Sequence, residues 1–298
     1  MKVEGKVDVF LVGAPKTSTS TIFRYLTNRE EFFESLDKEP HFFSCSRPKQ
    51  KSRSYKTIDE YMNLFEDAED HQLLIDASTS YFSDRTSPAR IAAHNHAAKI
   101  IIPLRHPVDR AYSQYCHNFR DCLVEKDFEY YFRDFMNDEY GFSSFDLDFF
   151  GQSFYAASVE RFLDMFPRDQ ILFVFQEVLR DDPETFYRHL CSFLEIEYQQ
   201  NKDQRHYNKT GIHSNNLIRI VFAEDHFVRR LLRSLALRHL PFKHFSAIAR
   251  WRRSIVEDHL KPGSGVGDQI RGDLLHIYKK DIELLEDLVG CELNGYRH

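Results

Sequence analysis

The chain has 298 residues, 42% of them apolar and 29% charged, with a formal net charge of −6. That length and composition suit one large α/β domain or two small ones, with a sizeable core. The negative balance argues against a general nucleic-acid binder, which needs excess Lys and Arg to neutralise phosphates.

Val7 to Val12 reads as a short buried strand ending at Gly13-Ala14-Pro15, and Ile22, Phe23 and Leu26 recur at helical spacing beyond it. The strand is too short for a secretory signal core or a membrane span, so a cytosolic protein without a transmembrane segment is expected. The loop between strand and helix carries Lys16 followed by Thr17, Ser18, Thr19, Ser20 and Thr21. A helix N-terminus presents free N–H groups and partial positive charge, and Lys16 adds a full charge. With the hydroxyl donors, this suits a dianionic phosphate; the alternative is an ordinary Ser/Thr-capped helix. The loop is not a Walker A motif, which needs Gly directly before Lys where this chain has Pro15.

Leu73 to Ile75 is another short apolar run. His94 and His96 stand two apart, on different sides of a helix, and do not make a metal site. Lys99 to Leu104, KIIIPL, reads as a strand buried on both faces of a parallel sheet. Pro107 then opens a helix in which Val108, Ala111, Tyr112 and Tyr115 follow the helical period. Arg105 ends that strand, where open parallel sheets place ligands, and Ser113 lies about two turns into the helix on the same side. An Arg fork matches phosphate oxygens, so this pair could grip a second phosphate.

The segment 125–150 is crowded with aromatic and acidic residues and gives no clear element. Ile171 to Phe175, ILFVF, is a buried strand between helical stretches Tyr155 to Phe166 and Pro183 to Leu194. From Leu217 to Leu260 the chain reads as helical and basic, a solvated face or one for an acidic substrate or peripheral membrane contact. Pro262 to Gly265 is a loop, and a final helix follows through about Leu288. The 27 Phe and 15 Tyr mean aromatic packing or an aromatic-lined pocket. Five scattered cysteines without CxxC spacing read as free thiols, neither a disulfide framework nor a zinc site. Strands alternating with helices predict an α/β fold, a central parallel sheet flanked by helices, with no internal repeat or clear domain boundary.

Two strand-end anion cradles imply a ligand with two separated phosphate groups. VGAPKTSTSTIFRYL resembles the 5′-phosphosulfate loop of PAPS-dependent sulfotransferases, where PAPS is 3′-phosphoadenosine 5′-phosphosulfate. LRHPVDRAYSQY resembles their 3′-phosphate motif, with Arg105 and Ser113 eight apart. KEPHFF (38–43) and DASTSYF (76–82) resemble segments of bacterial sulfotransferases and of the heparan-sulfate branch. FPRDQILFVFQEVLRDDP (166–183) resembles their late strand-helix segment, and NKTGIHS (208–214) the Gly-containing loop that closes over the nucleotide. The resemblance runs from about Val7 to Ser214.

The resemblance implies a P-loop-like sulfotransferase fold in a single domain, with a nucleotide-binding core over 1–216 and a mainly helical part over 217–298. It implies PAPS as co-substrate and PAP as product, with no metal required. Lys16 would stabilise charge on the leaving phosphate, and Thr17, Ser18, Thr19, Ser20 and Thr21 would complete the loop. Arg105, Ser113, Lys209, Thr210 and Gly211 would hold the 3′-phosphate side; for 209–211 the alternative is a surface turn. Glu39 is the first choice of general base, against a salt bridge with Lys38, and His41 the second, against a structural histidine. Lys38, His117 and Arg120 are candidates to line the acceptor cleft.

Two positions depart from the family. Ser18 stands where Gly is usual, and Ala77 where many heparan-type members carry Lys, which weighs against a sulfated-glycan acceptor. Two other readings compete: a P-loop-type kinase or NTPase using ATP-Mg, and a non-catalytic nucleotide-binding module. The first is opposed by the missing Gly-Lys pair and by the lack of a clear acidic strand end. A small-molecule, glycan or lipid hydroxyl, or an amine, would all suit as acceptor, and the residues do not fix the oligomeric state.

Overall fold

A computed structural model describes residues 5–45, 55–121, 123–137, 148–200 and 265–297, with the backbone of 212–213 and 260–261. The chain divides into two compact units. The first comprises Met1–Ala111, Ser143–Tyr207 and Gly272–His298; the second comprises Tyr112–Phe142 and Asn208–Arg271.

The first unit is built on five parallel strands: β1 (Val9–Leu11), β2 (Phe32–Phe33), β3 (Leu73–Asp76), β4 (Lys99–Leu104) and β5 (Ile171–Phe175), in the order β2-β3-β1-β4-β5. Parallel strands need long crossovers. These are supplied by α1 (Thr19–Thr27), by α2 (Ile58–Met62), by α3 (Ser87–His94), and by the stretch from α4 (Pro107–Arg120) through α5 (Phe128–Met136) to α6 (Ala156–Leu163). After β5 come α7 (Gln176–Asp181), α8 (Pro183–Leu194) and α9 (Asp268–Val289), which enters this unit at Gly272.

The strands expected over 73–75, 99–104 and 171–175 form at those positions, and the final helix expected through about Leu288 forms over Asp268–Val289. β2, α2 and α3 carry too short or too mixed a pattern to be read in advance. The aromatic-acidic stretch resolves in part into α5, whose start is capped by Asp127 accepting from the Tyr130 amide at 2.8 Å. Positions 217–259 lie outside the described residues, as do Lys209, Thr210, Gly211 and Cys122; Cys45, Cys116, Cys191 and Cys291 are free thiols.

Both sheet faces are covered, as the apolar strands require. On one face α1 contributes Ile22, Phe23 and Leu26, and α8 contributes Phe186, Leu190 and Leu194, packed over Val9, Leu11, Ile75, Ile101 and Val174. On the other, Phe10 meets an aromatic group in which Phe42 stacks on Tyr61 at 4.7 Å and Phe43 touches Tyr81 and His94. His94 is structural: its Nε2 accepts from the Val7 amide at 3.1 Å, and burial, aided by Lys6, pushes its pKa down to about 4.

Pro103 stands inside β4, where a missing N–H normally breaks the ladder. Register pairs Leu11 with Ile101, and Val12 and Ala14 donate to Ile101 O and Pro103 O at 3.2 Å each. The bond Pro103 cannot donate would go to Val12 O. That oxygen accepts from the Phe82 amide instead, at 3.0 Å. The described part of the second unit holds an aromatic cluster in which Tyr112 and Tyr115 meet Phe128, and a two-residue antiparallel pair, β6 (Ile212–His213) with β7 (Leu260–Lys261). Among the described residues no helix is long and apolar enough to cross a membrane.

Candidate active site

From β1 the chain first builds β2 and β3 on one side and then β4 and β5 on the other. The strand order therefore reverses between β1 and β4, and the crevice at the carboxyl ends there is where open parallel sheets hold ligands. The loop after β1 carries Lys16, and Arg105 directly follows β4.

The loop Val12–Ser18 turns on positive φ values at Gly13 (102°), Lys16 (69°) and Ser18 (66°). Gly13 is needed on two counts. Its φ is one L side chains rarely adopt, and a Cβ there would lie 2.6 Å from Thr79 O. Ser18 occupies the N-cap of α1, yet it is left-handed and its side chain makes no cap bond; its carbonyl accepts from Thr21 and Ile22. An ordinary Ser cap has extended backbone and a side-chain acceptor, so the plain capped-helix alternative is not what forms. Two non-glycine left-handed residues in one loop cost about 1–2 kcal/mol each, strain of the kind that collects at ligand sites. Thr17 is buried and its hydroxyl donates to Ala14 O within the loop, while Thr19 is buried in the first turn of α1.

Arg105 Nη1 donates to Lys16 O at 3.3 Å, which ties the β4 terminus to the loop. Burial lowers the Arg105 pKa, with Asp109, Tyr155 and Glu177 acting the other way, and a guanidinium stays charged under either influence. Ser113, buried, lies farther along α4 in the second unit. In that unit Arg120 donates to His117 Nδ1 and to Asp121 Oδ1, the latter at 3.0 Å.

Beside the loop, Lys38 Nζ donates to Ser20 Oγ at 3.2 Å and to Glu39 Oε1 at 2.9 Å. The other Glu39 oxygen accepts from Thr79 Oγ1 at 3.3 Å and lies 3.5 Å from His41 Nε2. His41 is only 2% exposed. Its Nδ1 bonds Ser80 Oγ at 2.6 Å and its amide donates to Ser78 Oγ at 2.9 Å. Glu39, with about a quarter of its side chain exposed, is thus the more accessible of the two candidate bases. The salt bridge with Lys38 and the position beside the Lys16 loop coexist.

The segment after β3 supplies this frame, and its roles were not legible beforehand. Ala77, fully buried, donates its amide to Lys38 O at 3.2 Å. Ser78, Thr79 and Ser80 each touch Glu39 or His41. One reading is corrected here: β3 does end in an acid. Asp76 is fully buried; Tyr61 and Tyr81 hydroxyls donate to its Oδ2 at 2.8 Å each, and the Ser78 amide and hydroxyl to its Oδ1. Burial raises its pKa to about 6, the four donors opposing. Both oxygens are already occupied, so the acid serves the frame. The only advance signal was the density of Ser and Thr in the segment.

The sulfotransferase domain family profile matches residues 6–216. Heparan sulfate glucosamine 3-O-sulfotransferase 3A1 of Mus musculus is 29% identical over 201 residues, 67% of this chain and 48% of that protein. Bifunctional heparan sulfate N-deacetylase/N-sulfotransferase 4 of Mus musculus is 27% identical over 193 residues, 62% of this chain and 22% of that protein. The chain therefore spans half or less of the length of these curated relatives. A crystal structure of a sulfotransferase from Alicyclobacillus acidocaldarius shares the fold, with a TM-score of 0.70 at 22% identity over 98% of this chain and 99% of that one. With well over half of its length matched by the profile, and with a parallel sheet whose strand ends carry the Lys16 loop and Arg105, the chain belongs to the sulfotransferase domain family.

Proposed function

We propose that the chain transfers the sulfuryl group of PAPS to an acceptor hydroxyl, or to an amine, and releases PAP. The observation that carries this reading is the Lys38 ammonium, which bridges the first turn of α1 at Ser20 and the Glu39 carboxylate. It joins an anion-binding helix start to a group able to accept a proton.

In such a transfer a new S–O bond forms to the acceptor oxygen while the S–O bond to the 5′-phosphate breaks, and the bonding pair stays on the phosphate of PAP. Lys16, the α1 terminus and Lys38 would offset that growing charge. Glu39 would take the acceptor's proton, with His41 and Thr79 fixing the carboxylate's orientation. Arg105 and Ser113, with Lys209, Thr210 and Gly211, would hold the 3′-phosphate, while His117 and Arg120 would face the acceptor. The Gly13 approach to Thr79 O and the left-handed turns at Lys16 and Ser18 support the fit, because they shape the loop as a backbone cradle. The relatives named for glucosamine sulfation make a carbohydrate hydroxyl the first acceptor class to screen; Ala77 in place of Lys weighs toward one without its own sulfates.

Thermal melting tests the reading. PAP without Mg²⁺ should raise the melting temperature, by roughly 2.7 kcal/mol of stabilisation at a hundredfold excess over Kd. Stabilisation by ATP-Mg alone would support the kinase reading, and none by either would support a non-catalytic module.

A further inference from the structure

Three consecutive residues after β4 are held by their main chain. Tyr155 Oη donates to Arg105 O at 3.0 Å, the His106 amide donates to Glu177 Oε1 at 2.9 Å, and Ser153 Oγ donates to Pro107 O at 2.9 Å. Each of these holders is itself held. Arg110, fully buried, donates from Nε to Ser153 Oγ at 2.7 Å and from Nη2 to Phe149 O.

The other supports come from the C-terminal segment, beyond the residues the family profile matches. Asp281 on α9 accepts from the Tyr155 amide at 2.6 Å and the Ala156 amide at 3.1 Å, one per carboxylate oxygen, and so caps α6. Tyr278 Oη donates to Phe150 O at 3.1 Å. Tyr296 Oη donates to Glu177 Oε2 at 3.4 Å, and its ring meets the His106 ring edge-on at 5.6 Å. Tyr155, Tyr278 and Tyr296 are all buried. A segment whose task were only to cover the sheet would need apolar contacts, not a carboxylate and a phenol on α9 and a second phenol in the turn after it, all bonded to the residues that support one loop.

We propose that α9 and the Tyr296 turn are a working part of the nucleotide site, with Asp281 and Tyr155 as positioning residues that fix Arg105 for a 3′-phosphate. This rests on the reading of Arg105 as the 3′-phosphate ligand. A loop held at three successive backbone groups presents its guanidinium in one place, so phosphate binding need not order it. Without Tyr155 Oη, the Arg105 carbonyl loses its tether to the α6 cap, and the loss falls on the 3′-phosphate alone.

Calorimetry with PAP and with 5′-AMP, which lacks the 3′-phosphate, tests this on the full chain. Tyr155→Phe should weaken PAP binding about fivefold, the size of one hydrogen bond's contribution, and leave 5′-AMP within about twofold. Asp281→Asn should lower the PAP-to-AMP preference in the same sense. A purely structural role would weaken both nucleotides together, and that result, or an unchanged preference in Tyr155→Phe, overturns the proposal. Should Asp281→Asn fail to fold, Tyr155→Phe decides alone, since it removes one oxygen atom. Wild-type protein that binds PAP no better than 5′-AMP would overturn the assignment of Arg105 itself, and this proposal with it.

Discussion

Asp76 sets two opposing effects against each other in one buried carboxyl. Burial favours the neutral acid, and four donors from Tyr61, Tyr81 and Ser78 favour the anion. Burial prevails, giving a folded pKa of about 6 against an ordinary 3.8. Since the folded pKa is the higher one, the native state binds the proton more tightly. The stabilisation is fully present below pH 3.8 and is lost as pH rises through 6. The whole difference corresponds to about 3 kcal/mol, of which roughly 1.4 kcal/mol falls between pH 5 and pH 8. Asp76→Asn keeps the shape but cannot titrate. Urea denaturation followed by far-UV circular dichroism, at pH 5, 6, 7 and 8 and fixed ionic strength, should show the wild type losing about that 1.4 kcal/mol relative to the variant. Parallel pH profiles would refute the reasoning: Asp76 would then be ionised throughout, and the donors would outweigh desolvation.

Glu39→Gln should keep PAP binding and lose turnover by about 10²–10⁴-fold, as expected of a lost general base, in a sulfuryl-transfer assay. If instead Glu39→Gln turns over normally while His41→Ala does not, the base is His41. Ser18→Gly should raise the unfolding free energy by up to about 1 kcal/mol, because Gly enters the left-handed region without penalty; urea midpoints read this directly. Gly13→Ala should destabilise by about 1–3 kcal/mol and weaken PAP binding, since its Cβ would meet the rigid Thr79 carbonyl. Unchanged melting and affinity there would mean the loop is looser than it stands.

The sheet was legible because its strands are apolar runs with little ambiguity: KIIIPL and ILFVF became β4 and β5 at the residues expected. The Lys16 loop and Arg105 were legible because both follow directly on such strands. What stayed hidden depends on contacts distant in sequence. Nothing in KEPHFF announces that Ser80, 39 positions on, will hold the His41 ring, or that Thr79 will both press on Gly13 and bond Glu39. Asp76 is unmarked as a strand-end acid because the apolar run stops at Ile75, one residue before it; its partner Tyr61 lies on α2, which has only five residues and too little periodicity to predict. Tyr155, Glu177 and Asp281 act through backbone atoms, which carry no mark in a sequence.

The proline within β4 has a consequence for how β1 and β4 pair at their carboxyl ends. Parallel neighbours tend to zip together for as long as donors and acceptors alternate, and every added rung would draw the Lys16 turn down into the sheet. An imino acid at position 103 omits one rung, and the oxygen left over at Val12 is claimed from the side by Phe82, which belongs to the same segment that steadies Glu39 and His41. A single missing donor thus leaves out one rung between two strands that stay joined on either side of it, and hands the Val12 oxygen to the residues that frame the acid.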